Sequence, residues 1–130
     1  MATRGTIAVL HTDGTVKQIY SHWDNYLECN GLLLIEDWNS QERAESLVDW
    51  GDIASLEEGR VLDGGNLRPA VFDNLQDYID NVSLQEYNYI YIDYGWFLFD
   101  PKQKKFRHGI LFSSVEKLLE DAAPNLIAEN

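Results

Sequence analysis

Residues 19–31 read IYSHWDNYLECNG and set His22 and Asp24 on either side of Trp23. A histidine and a carboxylate this close in sequence can share a proton in acid/base catalysis or supply two ligands to a metal. His11 and His108 extend the set of metal-ligating types, but no HExxH pattern or paired CxxC relates them. His11 and His22 also fall on opposite arms of a hairpin that turns at Asp13-Gly14, which argues against direct pairing. No metal site is expected. Cys29 has no nucleophile signature around it, and Ser113-Ser114 precedes VEKLLEDA as a helix cap would. The glycine-rich LDGGNL lacks both the GxGxxG spacing and the lysine of a phosphate-gripping loop. With 22 acids in the chain, close carboxylate pairs are commonplace and do not single out a catalytic pair. No catalytic residue is assigned, no cofactor is expected, and an enzyme ranks behind binding functions.

What remains is a corner of His22, Trp23, Asp24 and Tyr26. Read structurally, it is a strand-to-helix junction in which His22 ends the strand, the aromatics anchor the bend, and Asp24 or Asn25 accepts backbone N–H groups. Read functionally, it presents an aromatic and polar patch to a partner or small ligand, as rigid scaffolds do at loop edges.

Elements must position that corner. TIAVLHT and TVKQIYSHW flank Asp13-Gly14, two β-rich runs around a dipeptide that tolerates positive φ, so a hairpin is expected. Leu27, Gly31, Leu34 and Trp38 follow at helical spacing and predict a helix over about 30–37. Asn39 with Glu42 three residues on reads as a capping box for a second helix that ends at Gly51, with Ala44, Leu47 and Val48 inward and Glu42, Arg43, Glu45 and Asp49 in water. Residues 52–69 mix turn formers with isolated apolar side chains and read as irregular. AVFDNLQDYIDNV predicts a short helix with Phe72, Leu75 and Ile79 on one side and Asp73, Asp77 and Asp80 on another. YNYIYIDYGWFLFD gives two strands around Asp93-Tyr94-Gly95, KFRHGIL a third, and VEKLLEDA a last helix ending by Pro124. The expected fold is one α+β domain: an antiparallel sheet of about five strands, the N-terminal hairpin plus a C-terminal three-strand meander, packed with three to four helices.

Composition narrows the partners. The 130 residues suffice for one core, and no run of about 18 apolar residues exists to span a bilayer. The start MATRGTIAVLHTDG lacks the basic-then-apolar pattern of a secretory signal, and a single cysteine suits a reducing compartment, so a cytoplasmic protein is expected. Ten Lys and Arg against 22 Asp and Glu give a net charge of −12, which repels nucleic acid and anionic membranes and attracts basic protein surfaces. Seven Tyr and four Trp supply side chains favoured at contacts, and the aromatic strands over 87–99 could present an apolar edge or face for a homodimer.

TIAVLHTDGTVKQIYSHWDNYLECNG, with its Ile-Tyr-Ser-His-Trp-Asp core, resembles a group of small bacteriophage- and prophage-encoded proteins, and the likeness continues more weakly through LLLIEDWNSQERAESLVDWGDIASL. It covers near half the chain and carries no catalytic assignment. What it implies is context: small acidic phage proteins often bind and block a host protein, some by imitating the charge of DNA. The expectation is a non-enzymatic protein that inhibits or modulates a host factor with a basic nucleic-acid-binding surface, using Glu42, Glu45, Asp49, Asp73, Asp77 and Asp80 as an acidic contact surface. The second expectation is a small-ligand or nucleotide-binding protein that uses the His22, Trp23, Asp24 and Tyr26 corner.

Overall fold

The structure, a computed structural model, describes residues 3–57, 60–63, 68–82, 85–93, 95–100 and 105–108. β1 (Gly5–Leu10) and β2 (Val16–Ser21) form the expected hairpin, with Ile7 opposite Ile19 and Leu10 opposite Val16. Asp13 sets the turn: its Oδ1 accepts from both the backbone N–H and the hydroxyl of Thr15, and Gly14 takes φ +91°. Those two hydrogen bonds hold the Asp13 carboxyl below its usual pKa, the hydroxyl contributing most.

A π-helical turn, Leu27–Gly31, runs into α1 (Leu32–Asp37), and α2 (Gln41–Asp49) follows. The cap of α2 lies one residue later than the capping box predicts: Ser40, extended at φ −153°, accepts from Arg43 N at 3.1 Å. Ala44, Leu47 and Val48 are buried as expected, and Gly51 leaves the helix at φ +90°.

Within the stretch 52–69, expected to be irregular, residues 53–57 and 60–63 are strands. β3 (Ile53–Glu57) and β4 (Arg60–Asp63) pair antiparallel. A register shift between Ile53 and Ser55 breaks the two-residue alternation, and all four residues from Ile53 to Leu56 are buried, so no strand periodicity is visible in the sequence. The helix expected to begin at Ala70 is β5 (Ala70–Phe72) followed by α3 (Leu75–Asn81), whose cap Asn74 accepts from Asp77 N at 2.8 Å. β6 (Tyr87–Ile92), β7 (Gly95–Asp100) and β8 (Lys105–His108) form the expected meander. The last helix, with Ser113 or Ser114 as cap, lies outside the described residues.

The fold is α+β, but the sheet is mixed rather than antiparallel and larger than five strands. Among the described residues seven strands run in the order β4-β3-β2-β1-β6-β7-β8, and an eighth, β5, pairs with β2 beside that path. β1 lies parallel to β6, and β2 meets β3 in parallel at Ser21 and Ile53. Hairpin and meander are joined through β1 and β6, a pairing between segments some 80 residues apart that no local pattern announces. The outer edge of β2 is shared, β5 taking residues 16–18 and β3 residue 21; between them Tyr20 N donates instead to Asp52 Oδ1 at 2.9 Å.

Both sheet faces are covered. Ile7, Val9, Ile19, Tyr89, Tyr91 and Trp96 pack under α1 and α2. Ala8, Val16, Ile90, Ile92, Phe97 and Phe99 face the other way and meet Tyr78 and Ile79 of α3. Among the described residues no helix is long and apolar enough to cross a membrane.

Candidate functional site

The corner after β2 is built on two buried asparagines. Asn25 and Asn30 are both fully buried inside a polar knot. Asn25 Nδ2 donates to Thr3 O at 2.8 Å, Ser21 O at 3.0 Å and Trp23 O at 3.1 Å. Asn30 Nδ2 donates to Trp23 O at 2.8 Å and to Asn25 Oδ1 at 3.0 Å. Ser55 Oγ of β3 adds a bond to Trp23 O at 3.0 Å, and the Tyr89 hydroxyl of β6 donates to Asn25 O at 2.5 Å. Backbone bonds from His22 N to Ile53 O and from Trp23 N to Ala54 O join the corner to β3. Buried polar groups require such partners, and here Ser55 and the two backbone bonds also tether the corner to β3 and Tyr89 tethers it to β6.

Two glycines make room for the knot. A Cβ on Gly5 would stand 2.7 Å from Asn25 Cβ and Cγ, and one on Gly31 would stand 2.9 Å from the Tyr89 hydroxyl. Asp24 adopts φ +60°, a left-handed conformation that Asp tolerates better than most residues, and the reversal aims the exposed side chains outward.

Of the four residues singled out in the sequence, all are exposed: His22, Trp23 at 50%, Asp24, and Tyr26 at 38%. Neither aromatic is buried as an anchor; Asn25 and Asn30 hold the bend instead. The rings of Tyr20, His22 and Trp23 contact in series, edge-on at 4.8 Å and then tilted at 5.8 Å, which covers part of each ring and fixes its direction. His11 is remote from this corner in the fold, half-buried beside Glu45, with Nδ1 at 3.5 Å from Oε2. Among the described residues no three His, Cys, Asp or Glu side chains group as a metal would need.

The six acids do not form one surface. Glu42, Glu45 and Asp49 ride on α2, Asp73, Asp77 and Asp80 on or beside α3, and the two helices cover opposite sheet faces. Several are engaged locally. Glu45 is half-buried rather than in water and accepts from Gln41 at 2.5 Å, Asp49 lies 3.8 Å from Lys17 Nζ, and Asp77 accepts from Asp73 N and Asn81 Nδ2.

Sequence reasoning gave Asn25 only the role of accepting backbone N–H groups and passed over Asn30, Ser55 and Tyr89. Asparagines next to glycine and aspartate look like turn formers, and nothing local marks them as buried. No family model, curated protein or solved structure matches the chain.

Proposed function

We propose that this chain is a non-enzymatic interaction protein, of the phage-encoded kind its N-terminal half resembles, that binds a host protein bearing a basic, nucleic-acid-binding surface and blocks it. The corner of His22, Trp23, Asp24 and Tyr26 is the anchor of that contact. The observation that carries the reading is Trp23: half its surface is in solvent, while its own N–H and C=O hold bonds to Ala54, Asn25, Asn30 and Ser55. A large aromatic on an immobile backbone loses little entropy when a partner covers it, which is the physical character of an interface hot spot. The charge of −12 then acts as an attracting field, raising the encounter rate with a basic partner. Acids split between two faces favour that diffuse role over a single phosphate-like row.

The test is capture from bacterial lysate with the wild-type chain and a Trp23→Ala/Tyr26→Ala variant. The wild type retains a nucleic-acid-binding protein at low salt and releases it as salt rises, the addition of chain inhibits that protein's DNA binding, and the double variant loses at least about 2 kcal/mol of affinity with its unfolding midpoint unchanged. Equal retention by the variant, or no retention at low salt, would sink the proposal.

A further inference from the structure

Where the end of α1, α2 and β4 meet, the surface opens into a groove of about 400 Å³. Two tryptophans, Trp38 and Trp50, two arginines, Arg43 and Arg60, and the hydroxyl residue Ser46 line it. In a chain with 22 acids and 10 bases, no described Asp or Glu lines this groove and two of the bases do. The Arg43 guanidinium stands 4.3 Å from the centre of the Trp38 ring and donates Nε–H to Asp37 O at 2.9 Å. That leaves its two terminal amino groups, the fork that matches a phosphate, with no described partner. Arg60 is exposed and, among the described residues, in no ion pair. Trp50 caps α2 with 51% of its surface in solvent, and the Trp38 indole N–H is buried with no acceptor among the described residues.

We propose that this groove is a mononucleotide site, independent of the corner, with the base against the Trp50 indole and the phosphate on Arg43 and Arg60. Indole faces stack any base, and guanidinium forks suit a phosphate dianion better than lysine would. The volume falls in the range of small-ligand sites. A 5′-phosphate at the end of a nucleic acid strand has the same chemistry, but repulsion from a chain of net charge −12 grows with the length of a polyanion and is least for a single nucleotide. The free mononucleotide is therefore the occupant.

The full chain titrated with AMP, UMP, adenosine and inorganic phosphate, followed by the indole N–H signals of its four tryptophans, tests this. AMP and UMP shift the Trp50 signal saturably with affinities within about ten-fold of each other, and adenosine and phosphate each bind at least about ten-fold more weakly. Trp50→Ala and Arg60→Gln, both at exposed positions, each weaken AMP at least about ten-fold without moving the unfolding midpoint, and Trp23→Ala leaves AMP affinity unchanged. The proposal is overturned by the absence of saturable change at millimolar AMP, by phosphate binding as well as AMP, or by wild-type affinity in Trp50→Ala. A single-stranded oligonucleotide that displaces AMP at lower concentration would overturn the free nucleotide as occupant.

Discussion

Asn30 donates from Nδ2 to Asn25 Oδ1 at 3.0 Å, and both side chains are wholly shielded from solvent. The pair converts a five-residue bend into a fixed platform, because each amide also bonds Trp23 O and so holds the residue that solvent sees.

Asn30→Ala strips a donor from Trp23 O and the buried Asn25 Oδ1 and is expected to cost roughly 1–3 kcal/mol, with Asn25→Ala at or above the top of that range because it removes a donor from Thr3 O, Ser21 O and Trp23 O together. Urea unfolding measures both. A loss below about 0.5 kcal/mol for either would mean that water replaces the amide and that the corner is not rigid.

Gly5→Ala drives a methyl into Asn25 and to 2.9 Å from Tyr87 O, a backbone atom that cannot swing aside. A loss of about 1–3 kcal/mol is expected, and because β1 must shift, amide exchange should quicken at Trp23 and Asn30 as well as at residue 5. Protection unchanged at the corner would separate Gly5 from the knot.

The start of α2 has a sharper test. Ser40→Ala should cost about 1 kcal/mol, since its hydroxyl accepts from Arg43 N, whereas Asn39→Ala should stay within about 0.5 kcal/mol. Reversed magnitudes would restore Asn39 as the cap.

Tyr78 gives a pH-dependent prediction. Its ring packs edge-on against Phe72 and Phe99, its hydroxyl is buried with no partner among the described residues, and burial pushes its pKa above the ordinary value near 10. A phenol with a raised folded-state pKa leaves stability intact below the unfolded value and erodes it as pH climbs above about 10, because only the unfolded chain then ionises. Tyr78→Phe should therefore be neutral or up to about 1 kcal/mol stabilising at neutral pH, with its advantage growing as unfolding is measured at about pH 10.5 and above. A constant gap across that range would show that solvent reaches the hydroxyl.

Elements whose side chains alternate or repeat locally were legible in the sequence: the Asp13-Gly14 hairpin, the inner face of α2 and the β6-β7-β8 meander. β3 was hidden because its bulge buries Ile53, Ala54, Ser55 and Leu56 in succession, and β5 because Phe72, Leu75 and Ile79 keep a helical spacing across a strand end and a helix start. The parallel register of β1 on β6 follows from tertiary packing alone. At the corner, of the two readings given for Trp23 and Tyr26, buried anchors of the bend or an outward patch, the structure shows both side chains exposed. Asn25, expected to accept backbone N–H groups, instead donates from Nδ2, and with Asn30 it is a buried fastener of the bend.

The knot draws on distant parts of the chain. Tyr89 reaches Asn25 across 64 positions, and Thr6 bonds Asn88 across 82. Contacts of such separation form late, because the loop between them must close before they return any energy. At a synthesis rate of about 5–20 residues per second, the first 31 residues leave the ribosome seconds before the strand that locks them. A nascent or truncated copy lacking β6 thus holds the Trp23 and Tyr26 corner through β3 and the bonds of Asn25 to Thr3 and Ser21, without the Tyr89 hydroxyl that fastens Asn25 O from the other side of the sheet.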